Sequence, residues 1–216
     1  MDLRRTLLLF SFIFTGSLAI AQPKDRWTIQ DGGAIRWSIN DNIPHDDHLE
    51  MSGQQLSVVL RYGVDAQKRF HLNRSLVFPM LRMHPNKTQN NLKQRFDVNI
   101  PALVTVDDQT LLNEEVRDVT FNGIMRVESS FGYIYRRKEL KDAVQLTRVL
   151  YPSTNAAHYC EEYTFKNSSP NQITLRVPEW NVTYTTPEEA GVYGAYCIEA
   201  CLLYTSPSPR DLSTSR

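Results

Sequence analysis

The chain has 216 residues, with 24 basic and 24 acidic side chains balancing to a formal net charge of zero, 41% hydrophobic residues and three cysteines. A neutral chain with no basic stripe is not built to hold nucleic acid or to lie on an anionic membrane. Its length suits one domain with a real core.

The first 21 residues have the tripartite form of a secretory signal peptide. Arg4 and Arg5 precede an apolar run over residues 6–20, and Ala19-Ile20-Ala21 supplies small residues for cleavage. The run is short for a membrane span, and no cysteine follows it to carry a lipid. The expected mature chain starts at Gln22 and is secreted or periplasmic.

From Trp27 the pattern has period two. Residues 27–30 and 34–38 form a predicted hairpin around Asp31-Gly32-Gly33, where glycine supplies the positive φ of a tight turn. The next stretch, residues 42–53, packs two imidazoles and three carboxylates between a proline and a Ser-Gly pair. Pro44 favours an extended residue before it and blocks a helix, so the segment is expected to be a loop between strands. Leu56, Val58, Leu60, Tyr62 and Val64 then alternate strictly, as one buried face of a strand does. Residues 65–68 make a turn, and residues 70–78 a return strand ended by Pro79. Residues 80–91 are polar and irregular, with Arg82 close to His84.

Further strands are expected at residues 92–99, 103–106 and 116–121. Asn122-Gly123 is the strongest hairpin signal, joining 119–121 to 125–128. Residues 136–141 form a charged hairpin tip. Strands at 144–151, 159–166, 172–177 and 180–186 complete the series, and Pro187-Glu188-Glu189-Ala190 opens a short helix. With no long helical periodicity and no internal repeat, the pattern specifies an all-β fold, an antiparallel β-sandwich of the supersandwich type.

Residues 201–216 stand apart. Cys201 to Asp211 back-translates in a single frame into a string resembling the transposon-end adapter of sequencing libraries. The expected organisation is therefore a signal peptide (1–21), a β-sandwich (22–200) whose gene continues further, and an adapter-derived tail (201–216). Cys160 and Cys197 then remain, either as a disulfide or with Cys160 as a small buried residue.

The candidate site is His45, Asp46, Asp47, His48 and Glu50, together with Arg82. Three roles suit these residue types: zinc ligation, hydrogen bonds to sugar hydroxyls, or a polar network pinning an interdomain interface. The two histidines are not spaced as on a helical zinc motif, and no metal or other cofactor is expected. Glu161 and Glu162, adjacent on a strand, point to opposite faces and are expected at the surface. Trp27, Trp37 and Trp180 suit core or interface positions better than a sugar-stacking platform.

Four peptides carry a family resemblance: Trp37-Ser38-Ile39-Asn40-Asp41, Glu50-Met51-Ser52-Gly53, Leu60-Arg61-Tyr62-Gly63-Val64-Asp65 and Phe78-Pro79-Met80-Leu81-Arg82. They resemble the N-terminal domain of secreted six-hairpin glycosidase-like proteins of gut-type Bacteroidetes, often described as α-L-rhamnosidase-like. Leu146-Thr147-Arg148-Val149-Leu150-Tyr151-Pro152 and Tyr163-Thr164-Phe165-Lys166-Asn167 are similar to a strand pair of sandwiches that precede (α/α)6 toroids. The resemblance implies a glycoside hydrolase acting on carbohydrate through paired carboxylates of a toroid encoded after the sandwich, onto which the sandwich docks. It assigns no catalytic residue to this chain. A free-standing carbohydrate-binding or adhesion sandwich is the alternative.

Overall fold

The computed structural model describes residues 25–39, 44–82, 91–185 and 196–203. The expected signal peptide and the helix start at Pro187 lie outside these residues.

Apart from one 3-10 turn at Ile100–Leu103, the described elements are strands: β1 Thr28–Ile29, β2 Ile35–Ser38, β3 His45–Ser52, β4 Ser57–Val64, β5 Phe70–Arg82, β6 Asn91–Phe96, β7 Thr105–Val106, β8 Gln109–Thr110, β9 Leu112–Phe121, β10 Met125–Tyr135, β11 Lys138–Pro152, β12 Tyr159–Asn167, β13 Leu175–Arg176, β14 Asn181–Thr185 and β15 Cys197–Cys201. They build a six-stranded sheet of order β1-β2-β9-β10-β11-β12 and a four-stranded sheet of order β3-β4-β5-β6, all antiparallel. This is an all-β sandwich. Two small sheets, β13-β7-β8 and β14-β15, complete it.

The local signals act as expected at the turns. Gly32 and Gly33 take φ of 84° and 83° between β1 and β2, and Gly123 takes 95° between β9 and β10. At the β10–β11 tip the left-handed pair is Arg136 and Arg137, φ 47° and 69°, closing Tyr135 onto Lys138.

Alternation then builds the core. Leu56, Val58, Leu60, Tyr62 and Val64 all face inward with at most 3% exposure. They meet Val116 and Val119 of β9, Met125 and Val127 of β10 and Leu150 of β11 from the facing sheet, with Trp37 packed in the same cluster. Burying a side chain of this size contributes about 1.5–3 kcal/mol. A second cluster joins Phe131, Tyr133, Val144 and Leu146 to Val106, with Leu175 packed alongside. The long β10–β11 hairpin thus runs through both cores. The β14–β15 hairpin leans on the first, with Tyr184 edge-on to Phe96 at 4.8 Å.

Two expectations need correction. Residues 45–50 are not a loop: they form the edge strand β3, paired with β4 from His45↔Val64 to Ser52↔Ser57. His45, Asp47, Leu49 and Met51 turn toward the core while Asp46, His48, Glu50 and Ser52 face solvent. An edge strand with one wet face tolerates such charge, and Pro44 sits just before it, where a missing N–H costs no ladder bond. Pro79 does not end β5, because the β5–β6 register shifts between Phe78 and Arg82 and the proline sits in that irregularity. Separately, β15 pairs with β14 as far as Cys201↔Asn181, and Leu202 N–H donates to Trp180 O at 2.9 Å.

Candidate functional site

The strand conformation of β3 divides the predicted cluster between two faces. On the outer face, Asp46 Oδ1 lies 2.6 Å from His71 Nε2 of β5. Their strands are separated by Gly63 of β4, which is level with both. A Cβ on Gly63 would come within 2.0 Å of the Asp46 oxygen, so the glycine is what lets the two side chains meet over it. His48 and Glu50 also point outward. Glu50 accepts a bond from Ser52 Oγ at 3.2 Å.

On the inner face, His45 packs edge-on against Trp37 with ring centroids 5.3 Å apart, and its Nε2 lies 3.4 Å from Asp47 Oδ2. Burial, with the Asp47 charge adding to it, pushes the neighbouring Tyr62 hydroxyl well above its ordinary pKa. Arg82 ends β5, and its side chain lies outside the described residues. Among the described residues, no group of three or more His, Cys, Asp or Glu side chains is arranged to hold a metal ion. Cys160, Cys197 and Cys201 are free thiols.

The strongest polar chemistry was not predicted. Arg74, an inward residue of β5 with 5% exposure, crosses the sandwich to Glu161 of β12. Its Nε and Nη2 grip the two carboxylate oxygens, the second at 2.8 Å. Nη1 donates to Val98 O at 2.9 Å, Nη2 also to Tyr163 Oη at 3.1 Å, and Tyr163 in turn donates to Glu161 at 2.6 Å. Burial opposes the Arg74 charge, but the Glu161 carboxylate more than offsets it and raises the guanidinium pKa. Burial also drives the Tyr159 and Tyr163 hydroxyls upward, with Glu161 adding to it.

A parallel arrangement joins Arg148 of β11 to Glu114 of β9 at 2.6 Å, both side chains at least nine-tenths buried. Arg148 also donates to Ser129 Oγ at 3.0 Å and stacks over Phe70 at 5.2 Å. Glu161 is therefore an interior residue, unlike Glu162, which is exposed and accepts from Tyr151 Oη. Sequence spacing gave no hint of either pair, because the partners are 87 and 34 residues apart.

Glu114 also borders a groove at the end of the sandwich. One lobe, of about 390 Å³, lies among the β4–β5 turn, the 3-10 turn and the starts of β5 and β9; a second, of about 280 Å³, continues toward Glu139 and Lys141. Arg69, Asn113 and Glu114 line both.

These features define a non-repetitive antiparallel β-sandwich cross-linked by buried arginines. No protein-family model matches the chain, and no curated protein or solved structure matches it either.

Proposed function

We propose that this chain contributes the non-catalytic β-sandwich of a secreted glycoside hydrolase, with the bond-breaking carboxylates on an (α/α)6 domain encoded further along the gene. The observation that carries the reading is the use made of the buried acids. Glu161 and Glu114 are each bonded by an arginine from another strand, an arrangement that braces the sandwich. A glycosidase instead needs an acid and a base or nucleophile flanking one bond. The four peptides of the family resemblance all fall on strands β2, β3, β4 and β5 or directly after them, which supports a scaffold role for these strands within the larger protein.

Ile29 and Ile124, exposed at 84% and 39%, lie at the same end of the six-stranded sheet and suit docking to a neighbouring domain. Asp46, His48 and Glu50 on the outer face of β3 would then be polar interface contacts, without metal or cofactor.

Extending the gene in its source genome and assaying both products on a panel of aryl glycosides tests this. The 216-residue chain should release no aglycone, and the extended protein should. A stop codon at the natural end of the sandwich, or hydrolysis by this chain alone, overturns the proposal and favours a free-standing binding or adhesion sandwich.

A further inference from the structure

The groove at the end of the sandwich has a lining of unusual charge balance. Asp65 and Arg69 neutralise one another, with Nε 2.7 Å from Oδ2. Arg69 N–H and Gln67 N–H add bonds to the other Asp65 oxygen at 2.9 Å each. Glu114 is neutralised from beneath by Arg148. The ionic groups of the first lobe are thus already partnered, His71 included through Asp46, while the second lobe adds Glu115, Glu139, Lys141 and Asp142.

Hydrogen-bonding capacity remains in the amides. Asn113 donates its Nδ2 to Glu139 Oε1 at 2.7 Å, which fixes the amide and leaves its carbonyl oxygen as an acceptor. Asn99 precedes the 3-10 turn, yet its side chain makes no capping bond to it. Between these amides the surface is apolar: Phe70, Pro101, Ala102, Leu111 and Phe131.

The fixed Asn113 amide, the open Asn99 amide, and the first lobe's neutralised ions and aromatic and aliphatic floor are complementary to a molecule that is uncharged, rich in hydroxyls and partly apolar on its ring faces. The first lobe has the size of a small-ligand site, and its continuation past Asn113 gives room for a second unit. Asn113 holds a left-handed backbone at φ 48°, tolerated better by Asn than by most residues, so its amide is presented from the irregularity where the β9–β10 register shifts.

We propose that this two-lobed groove binds a neutral oligosaccharide segment, with Asn99 and Asn113 hydrogen-bonding hydroxyls and the Phe70 side of the floor supporting a sugar ring. This deepens the proposed function and rests on its glycan context, adding a holding site remote from any bond cleavage.

The test is NMR titration of the isotopically labelled full chain with methyl glycosides of rhamnose, galactose, glucose and xylose and with cellobiose and maltose. At least one probe should shift resonances of residues 65–71, 99–102 and 111–115, with a Kd of about 1 mM. Asn113→Gly keeps the left-handed backbone while deleting the amide, and Asn99→Ala removes the other. Each should weaken binding about tenfold while leaving the melting temperature within a few degrees. Thr164→Ala, on the remote exposed side of β12, should bind as wild type.

The proposal is overturned if no probe shifts these resonances at about 20 mM, if the shifts survive both asparagine substitutions, or if sulfate or glucuronate binds more tightly than every neutral probe. Hydrolysis by the extended gene product is a separate readout. It can succeed while the groove stays empty, or fail while the groove binds.

Discussion

Replacing Glu161 with glutamine keeps the side-chain shape and removes its charge. Arg74, 5% exposed, would then hold its guanidinium in the interior with only dipoles around it: Val98 O at 2.9 Å, Leu72 O at 3.4 Å and Tyr163 Oη at 3.1 Å. Removing one partner of a buried pair costs about 3–5 kcal/mol. Those three remaining contacts put the expected loss at the low end, about 3 kcal/mol, which for a chain of this length lowers the melting temperature by about 6–12 °C. Urea titration followed by tryptophan fluorescence should show the midpoint falling with an unchanged slope. The double variant Arg74→Met/Glu161→Leu removes both charges and should be more stable than Glu161→Gln, despite carrying one substitution more. If Glu161→Gln costs under about 1 kcal/mol, or the double variant loses the sum of the two single losses, the pair does not act as a coupled buried unit.

The glycines separate a backbone contact from a side-chain contact. A Cβ on Gly53 would meet the Ser153 carbonyl oxygen at 1.9 Å, where Gln54 N–H also bonds Thr154 O at 3.0 Å. Gly53→Ala should therefore cost about 1–3 kcal/mol by thermal melting, whereas Gly63→Ala, which only displaces the exposed Asp46 and His71 side chains, should stay within about 0.5 kcal/mol. The Tyr151 hydroxyl, whose proton is held by Glu162, is raised to about 12. Its folded value exceeds the unfolded one, so this contribution is complete below about pH 10 and fades as pH rises toward 12. Ultraviolet titration of Glu162→Gln should bring one tyrosine back toward its ordinary value. The Asp142 carboxyl is lowered, first by the Ser130 hydroxyl and also by Arg117, against the push of burial. A depressed folded value means its contribution is present above the unfolded value near 3.9 and lost as pH falls through the folded one. The melting-temperature advantage of wild type over Ser130→Ala should accordingly shrink between about pH 5 and pH 2.5.

Hairpin turns and core faces were legible in the sequence because each depends on a local property. Asn122-Gly123 and Asp31-Gly32-Gly33 supply the positive φ that their turns use, and Leu56 to Val64 show their burial by alternation alone. The β3 segment carries the same signal beneath its charge. Leu49 and Met51 alternate in step with His45 and Asp47, and all four face inward. Pro79 suggested an end to β5 because proline cannot donate to a ladder, yet an irregular register carries the strand past it. The two arginine pairs had no local signature. Arg74 occupies the inward position between Leu72 and Leu76, where an apolar residue is the rule, but nothing near it in sequence names Glu161 as its partner.

Those two arginines also explain why the groove lies where it does. An inward-facing cation must find its counter-charge across or along the sheets, and Arg148 finds it in Glu114 at the start of β9. That draws an acidic residue to the end of the sandwich, under a turn held by Asp65 and Arg69 and beside Asn113. A hydrophobic residue at 114 would leave the Arg148 guanidinium without its counter-charge in the interior. The buried ion pair braces this end from beneath, while Arg69 and Asn113 above it stay at the surface. A binding surface needs both properties: groups that exchange water for ligand hydroxyls, and a support that does not reorganise when they do. The bracing of the interior and the recognition surface are therefore two consequences of one choice, the placement of arginine on core-facing strand positions.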